Sequence, residues 1–336
     1  MVSEKKDVNS KLLSNQSLPT KYILSFVLIT IILLIFYSPI VIEGLNPGGV
    51  DTMAGLGKKH AVREYTEKTG DPHLWNPNIF AGVPEYFSKS NLSLNIKTIL
   101  RTLGNVLDWR FVWFLLGTVG VFLLFNYLKF PWYFSLLGSI SFLFFPHIQG
   151  LITVGHHTKI RALMYIPIIL FTFLNFTKKR DILSISLFIL FFSAQFQTKH
   201  YQIIFYTLLL LLTVGIYKIV QWIKEKKTKR LYKSLGMFIP ALAISVFMSA
   251  LPLFVAQEYT PYSTRGGNAI NLKEDAQTSQ QAEEKGNKGV TFEYATQWSY
   301  SPKEYLGTII PKAMGGTSQE VYEGDKYPRL QGRKLP

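Results

Sequence analysis

Asp51 stands shortly beyond the first long apolar run of the chain, after Pro47-Gly48-Gly49 has turned the backbone, in a segment crowded with Trp, Tyr, Phe, His and Gly. An acid held at a membrane surface beside aromatic rings points to chemistry there; the plainer reading is an acid that marks the boundary of the span. A second cluster, Gly155-His156-His157-Thr158-Lys159-Ile160-Arg161, immediately precedes the apolar run Ala162–Phe176. At the N-terminal end of a helix the macrodipole favours anions and disfavours cations, so Lys159 and Arg161 are misplaced unless something negative arrives. Helix N-termini also bind phosphate readily. Helical spacing pairs His156 with Lys159, and His157 with Arg161, on neighbouring faces. The cluster reads as a phosphate-binding mouth, with snorkelling of the two cations to lipid headgroups as the alternative. Gln195, Gln197, Lys199, His200 and Gln202 repeat the theme between two apolar runs. Gln195, Lys199 and Gln202 have helical spacing and are expected to share a face, either a hydrated ligand-binding one or one that hydrogen-bonds between helices.

The elements that must position these residues are membrane spans. Tyr22–Ile42 carries no charge until its end and reaches the roughly 20 residues that a transmembrane helix needs. Its apolar core exceeds the roughly 7 to 15 residues of a signal peptide, so it reads as a retained anchor. Further apolar runs begin near Phe111, Pro131, Ala162, Ile182, Tyr201 and Met237. The expected fold is an all-α polytopic membrane protein of about seven transmembrane helices with a long first outer loop, 43–110. The third run is short, because Pro146, His147, Gln149 and Gly150 interrupt it, and a broken helix lining a cavity is expected there. Lys58–Lys68 alternates charge at helical spacing and is expected to be an amphipathic helix lying on the membrane, ended by Gly70-Asp71-Pro72. The chain divides into a cytoplasmic segment 1–21, a membrane module 22–256 and an outer tail 257–336. The composition of Arg265–Gly289 marks that stretch as flexible.

Among 336 residues, 36 are Lys or Arg and 21 are Asp or Glu, a formal net charge of +15. The distribution gives this excess a topological cause. With the N-terminus in the cytoplasm, inside segments hold Lys5, Lys6, Lys11, Lys21, Lys129, Lys178, Lys179, Arg180 and the run Lys224–Lys233, whereas the short outer loops hold only Lys159, Arg161 and Lys199. That is the positive-inside pattern, and it argues against nucleic-acid binding. With no cysteine in the chain, disulfides and thiolate metal sites are excluded.

At Asp51 with the downstream Trp75–Pro84 stretch (WNPNIFAGVP), at Gly155–Pro167 (GHHTKIRALMYIP), at Gln195–Tyr206 and at Trp298–Ser318 (WSYSPKEYLGTIIPKAMGGTS) the sequence resembles the YfhO family of bacterial membrane proteins, grouped with the GT-C glycosyltransferases. The resemblance covers most of the chain, and family members usually continue further, so the chain looks like an N-terminal portion. The resemblance implies a GT-C-like bundle in the bacterial cytoplasmic membrane. It implies transfer of a sugar from a polyprenyl-phosphate donor to an envelope glycan, lipid or protein acceptor at the extracytoplasmic face. Asp51 matches the expected catalytic base, His156, His157, Lys159 and Arg161 the groups on the donor phosphate, and Trp75, Gln195, Lys199, His200 and Gln202 the substrate cavity. A paired-acid metal motif is missing, since Thr52 follows Asp51; no metal or cofactor is expected, although Glu64 and His73 could ligate one. A transporter or flippase of a lipid-linked or small anionic substrate, or a non-catalytic membrane scaffold, is the alternative.

Overall fold

The structure, a computed structural model, describes residues 18–46, 49–71, 73–79, 82–85, 96–262, 299–310 and 328–332, with a few single positions between 292 and 321. Lys5, Lys6 and Lys11, the stretch Arg265–Gly289 and much of Trp298–Ser318 lie outside the described residues. The chain forms two compact units. One comprises Met1–Phe144 with Leu151–Leu253 and holds the helical bundle; the other comprises Phe145–Gly150 with Phe254–Pro336 and contains short 3-10 turns at Thr260–Tyr262, Glu304–Thr308 and Pro328–Leu330.

The helices are α1 (Leu18–Phe36), α2 (Ser38–Val41), α3 (Val50–Thr69), α4 (Ile96–Leu107), α5 (Trp109–Tyr127), α6 (Trp132–Leu143), α7 (Pro146–Val154), α8 (His157–Lys179), α9 (Ile182–Phe196), α10 (Tyr201–Lys224), α11 (Thr228–Phe247) and α12 (Ala250–Tyr259). Among the described residues six helical stretches are long and apolar enough to cross a membrane: Pro19–Phe36, Trp109–Tyr127, Trp132–Val154, His157–Lys179, Tyr201–Lys224 and Thr228–Phe247. The shorter Ile182–Phe196 is equally apolar in character. The protein is an all-α polytopic membrane protein, as expected.

Each helix follows from its residues. In α1, Ser25, Ile29, Leu33 and then Tyr37 recur every fourth position and are buried, while Ile23, Phe26, Ile31 and Ile35 are exposed. That buried stripe packs antiparallel on α5, with Tyr22 edge-on to Phe122 and Tyr37 stacked on Phe114; its exposed apolar residues suit a lipid environment. The break in the third span falls where Pro146 requires it. Pro cannot donate a backbone hydrogen bond and disfavours helical geometry at the preceding residue, so α6 ends at Leu143 and α7 starts afresh at Pro146. Inside the spans, Thr118, Ser139, Thr207 and Ser245 return their hydroxyl protons to carbonyls of the preceding turn.

The centre of the bundle is the parallel pair α5 and α8. Gly117 lies against Met164, and a Cβ on Gly120 would come within 2.9 Å of the Ile168 amide nitrogen. Small residues let two transmembrane backbones approach this closely. Further along, the Tyr127 hydroxyl donates to the Leu174 carbonyl at 2.9 Å. Around this pair sit the sealed side chains Phe114, Tyr165, Phe176, Phe188 and Phe192.

The expected helix at Lys58–Lys68 exists but extends to Val50–Thr69, with Val62 its buried residue, and ends in a left-handed Gly70. The more one-sided amphipathic helix is α4, which is not among the elements expected from sequence. It exposes Ile99, Leu103 and Val106 along one stripe and turns Gly104 inward. Between α3 and α4 a two-residue hairpin pairs Trp75 with Pro84 and Asn76 with Val83. It is tied to α3 through His73, whose Nδ1 meets Thr66 Oγ1 at 3.1 Å and whose Nε2 meets Glu85 Oε2 at 2.9 Å, while Asn76 donates to Glu85 Oε1. Both Trp75 and His73 thus belong to this hairpin.

Two outcomes are expected. Gly120→Ile forces a branched side chain into the α5–α8 contact and should lower stability by about 1 to 3 kcal/mol, read as a lower thermal midpoint in detergent; an unchanged midpoint would show that the helices are not packed at this point. Burial pushes the Glu85 carboxyl up, but the hydrogen bonds from Asn76 and His73 outweigh it and leave it below the ordinary 4.5. A carboxyl lowered on folding stabilises the native state above its unfolded value, and that contribution is lost as pH falls through its folded value. Acidification below about pH 4.5 should therefore loosen the hairpin, visible as a change in Trp75 fluorescence against a Trp75→Phe control and absent in Glu85→Gln.

Candidate functional site

Two glycines, Gly49 before α3 and Gly155 between α7 and α8, decide where Asp51 goes. Gly49 caps α3, and a Cβ there would collide with the carbonyls of Thr153 and Val154; Gly155, at φ +95°, would collide with the Thr52 side chain if it carried one. The N-terminus of α3 is therefore seated backbone-to-backbone on the turn between α7 and α8. This seat puts Asp51 Oδ2 2.8 Å from Nε2 of His156, the N-cap residue of α8. The two side chains remain 52% and 43% exposed, so the pair is solvated and contributes little to holding the seat. A stronger clamp lies beside it. Arg110 is buried, makes a forked contact with Asp108 at 2.8 and 2.7 Å and reaches Asn46 Oδ1 at 3.0 Å, which fixes the chain leaving α2 against the start of α5.

Asp51, Gly155, His156, His157, Thr158, Lys159 and His200 line a cavity of about 320 Å³. His200 is the N-cap residue of α10. Burial holds its imidazole below the usual histidine value, and the nearby Lys159 and His156 act in the same direction. A second cavity of about 320 Å³ shares Thr158 and is lined by Arg101 and Asn105 of α4, Trp109 and Trp113 of α5, Arg161 and Tyr165 of α8, and Gln197 and Lys199 of the α9–α10 turn. No acid lines it. Arg161 lies over Trp109 at 4.5 Å and Trp113 at 5.2 Å from the ring centroids, a cation-π arrangement. Its Nε is buried without a hydrogen-bond partner among the described residues. His157 packs on Trp109 at 4.8 Å.

Of the residues singled out by sequence, Asp51, His156, His157, Lys159 and His200 meet in the first cavity, and Arg161 with Lys199 in the second. Three lie elsewhere. Gln195 is fully buried and donates from Nε2 to the Ala162 carbonyl at 2.9 Å and to Thr207 Oγ1 at 2.8 Å, so it fastens α9 to α8 and α10. Gln202 is exposed and bonds the Tyr206 hydroxyl. Trp75 covers Gly82 in the hairpin. The face expected to join Gln195, Lys199 and Gln202 does not form, because α9 ends at Phe196 and Lys199 takes a left-handed φ of 61° before α10 begins. Residues that sequence reasoning missed are Arg101, Asn105, Trp109, Trp113 and Tyr165. The amphipathic stripe of Ile96–Leu107 and the Trp109/Trp113 spacing were the signals available for them. Among the described residues no group of three His, Asp or Glu is arranged to hold a metal ion.

Fold and site define a polytopic membrane protein with a cation-rich, aromatic-walled pocket at one end of its bundle. No protein-family model, curated protein or solved structure matches the chain.

Gly155→Ala should disturb the site without touching a charged group, since the left-handed turn and the Thr52 contact both oppose a Cβ. The expected result is loss of the Asp51–His156 contact, measured as disappearance of the mutual dependence of the His156 NMR shift and Asp51→Asn. A spectrum in which Asp51→Asn still moves His156 in the Gly155→Ala background would overturn this account of the seat.

Proposed function

We propose that the protein transfers a sugar from a polyprenyl-phosphate-linked donor to an envelope acceptor at the extracytoplasmic face of a bacterial cytoplasmic membrane. The observation that carries this reading is the adjacency of a solvated carboxylate–imidazole pair, Asp51 and His156, to an acid-free cavity lined by Arg101, Arg161 and Lys199 with tryptophan walls. A lipid phosphate is an anion attached to an apolar chain. The second cavity offers cations for the former and aromatic surface for the latter, beside the amphipathic α4.

In this reading the acceptor hydroxyl oxygen attacks the anomeric carbon, the bond from that carbon to the phosphate oxygen breaks, and the electron pair leaves with the lipid phosphate. Asp51 takes the acceptor proton through its carboxylate, as a positioned base within hydrogen-bond reach can. His156, bonded to Oδ2, orients that carboxylate. The negative charge that grows on the departing phosphate is met by Arg161, held on its two tryptophan rings, by Arg101 and Lys199 and by the N-terminus of α8. His157 and Lys159 line the first cavity on either side of Thr158, which both cavities share, and help hold the donor. Gln195 acts at a distance, by locking the helices that carry these groups.

The test is transfer of label from a polyprenyl-phosphate hexose to membrane acceptors by the purified, reconstituted chain. Asp51→Asn should reduce transfer by about 100-fold or more while leaving donor binding intact, and Arg161→Ala should weaken donor binding. Full transfer by Asp51→Asn would overturn the assignment of the base; donor binding unaffected by Arg161→Ala would overturn that of the phosphate site.

A further inference from the structure

The opposite end of the bundle carries a different opening. One face of α10, with Leu208, Leu211, Gly215 and Trp222, looks across to one face of α11, with Phe238 and Leu242, and α8 closes the floor with Phe173 and Phe176; a groove of about 320 Å³ remains between them. Its walls are almost wholly hydrocarbon. At its polar margin stand Lys218, Thr177 and Ser234. Ser234 is 4% exposed and its hydroxyl has no hydrogen-bond partner among the described residues. Arg230, one turn before it on α11, donates to the Thr177 carbonyl at 3.0 Å and lies 5.4 Å from the Trp222 ring centroid, with its Nε buried and unpartnered among the described residues.

The charge around this margin is one-sided. Lys224, Lys226, Lys227, Lys229 and Lys233 surround it in sequence, and the single acid between Asp181 and Glu258 is Glu225. That acid is already engaged by Lys227 at 2.6 Å and by Gln221. An apolar slot therefore ends in buried, unsatisfied donors under a cationic rim. The slot has the character of an alkyl-chain site, and its margin brings Lys218 beside Ser234 and the turn that carries Arg230, where an anionic headgroup would be met by positive charge.

We propose that this groove is a specific binding site for an anionic phospholipid of the leaflet at the basic end of the bundle, with one acyl chain between α10 and α11 and the phosphate at Lys218, Arg230 and Ser234. The site is independent of the sugar-transfer reading and uses none of its residues. It differs from general lipid contact in two respects: it selects headgroup charge, and it depends on an open slot. Gly215 borders that slot, since a Cβ there would meet Phe173 at the ordinary contact distance of 3.9 Å, so a larger side chain at this position would project into the open space. Juxtamembrane basic groups attract anionic lipid individually, but a surface attraction alone would not respond to the shape of the slot.

The experiment is native mass spectrometry of the full, delipidated chain titrated with phosphatidylglycerol and with phosphatidylcholine of the same acyl chains. Phosphatidylglycerol should be retained in preference, Lys218→Gln should weaken its retention about fivefold, and the slot-filling variants Gly215→Leu and Leu242→Trp should each abolish it. Thermal midpoints without lipid serve to show that the variants are folded, and the two fillers act from different helices, so a folding defect in one leaves the other to decide. Equal retention of the two lipids, or undiminished phosphatidylglycerol on either folded filler, would overturn the proposal.

Discussion

The contact on which the rest depends is the close parallel packing of α5 on α8. Gly117 against Met164 and Gly120 against Ile168 set a register that the Tyr127–Leu174 hydrogen bond, spanning 47 residues, repeats a helix turn or two further on. The same register, within a residue, brings Trp109 to His157 and Trp113 to Arg161 at the other end of the pair. The aromatic bed of the cationic cavity is thus a consequence of where two glycines allow two backbones to touch. Interiors packed as densely as crystals do not deform continuously, so the ring–cation geometry at the mouth is inherited from the middle of the membrane. Gln195 extends the same frame by bridging α9 to the Ala162 carbonyl and Thr207.

Parallel packing has an electrostatic consequence as well. α5, α8 and α10 all begin at the site end, and α3 begins there too, so several positive helix ends gather around His156, Lys159, Arg161 and His200. Lys199 instead sits in a left-handed position just beyond the C-terminus of α9, where a cation is favoured. Dipole and side-chain charge oppose each other at this end, and Asp51 and Asp108 only partly offset them. At the other end the signs agree: Lys129, Arg180 and Lys226 occupy left-handed positions just beyond helix C-termini, where cations are favoured. Favourable charge placement thus falls at the far turns, and the unfavourable placement falls at the site, where the proposed donor phosphate would relieve it. The lone buried nitrogen of Arg161 belongs to the same pattern.

What was legible in the sequence was what is local. The uncharged run after Tyr22, the proline that stops α6, and the contiguous Gly155–Arg161 cluster all declare themselves within a few residues, and each stands where expected. Asp51 was legible as a residue, but its partner was not, because the pairing depends on two glycines lying far apart in the chain. Arg101, Trp109 and Trp113 escaped for a related reason: their role is set by helix register and by a short amphipathic helix outside the spans. The misplacement of Gln195 has a separate cause. Spacing of four and three implies one face only if a single helix continues, and the turn at Gln197–His200 ends one helix and starts another. The start of α11 was read late for a simpler reason, since Lys229, Arg230 and Lys233 occupy its first turns and hide the helix from a hydropathy count.

The Asp51–His156 pair has to be judged by what it does not do. With both partners about half exposed, an ion pair of this kind contributes about 0 to 1 kcal/mol, too little to dock a twenty-residue helix. The docking is carried instead by the backbone contact at Gly49 and Gly155 and by the buried Arg110–Asp108–Asn46 clamp. Because position is secured elsewhere, the carboxylate is free to exchange its imidazole for another hydrogen-bonding partner at small cost. A carboxylate locked in a buried pair would have to lose several kcal/mol to accept a proton from an acceptor. A carboxylate weakly paired on a seat fixed by other contacts suits the base role proposed above for Asp51.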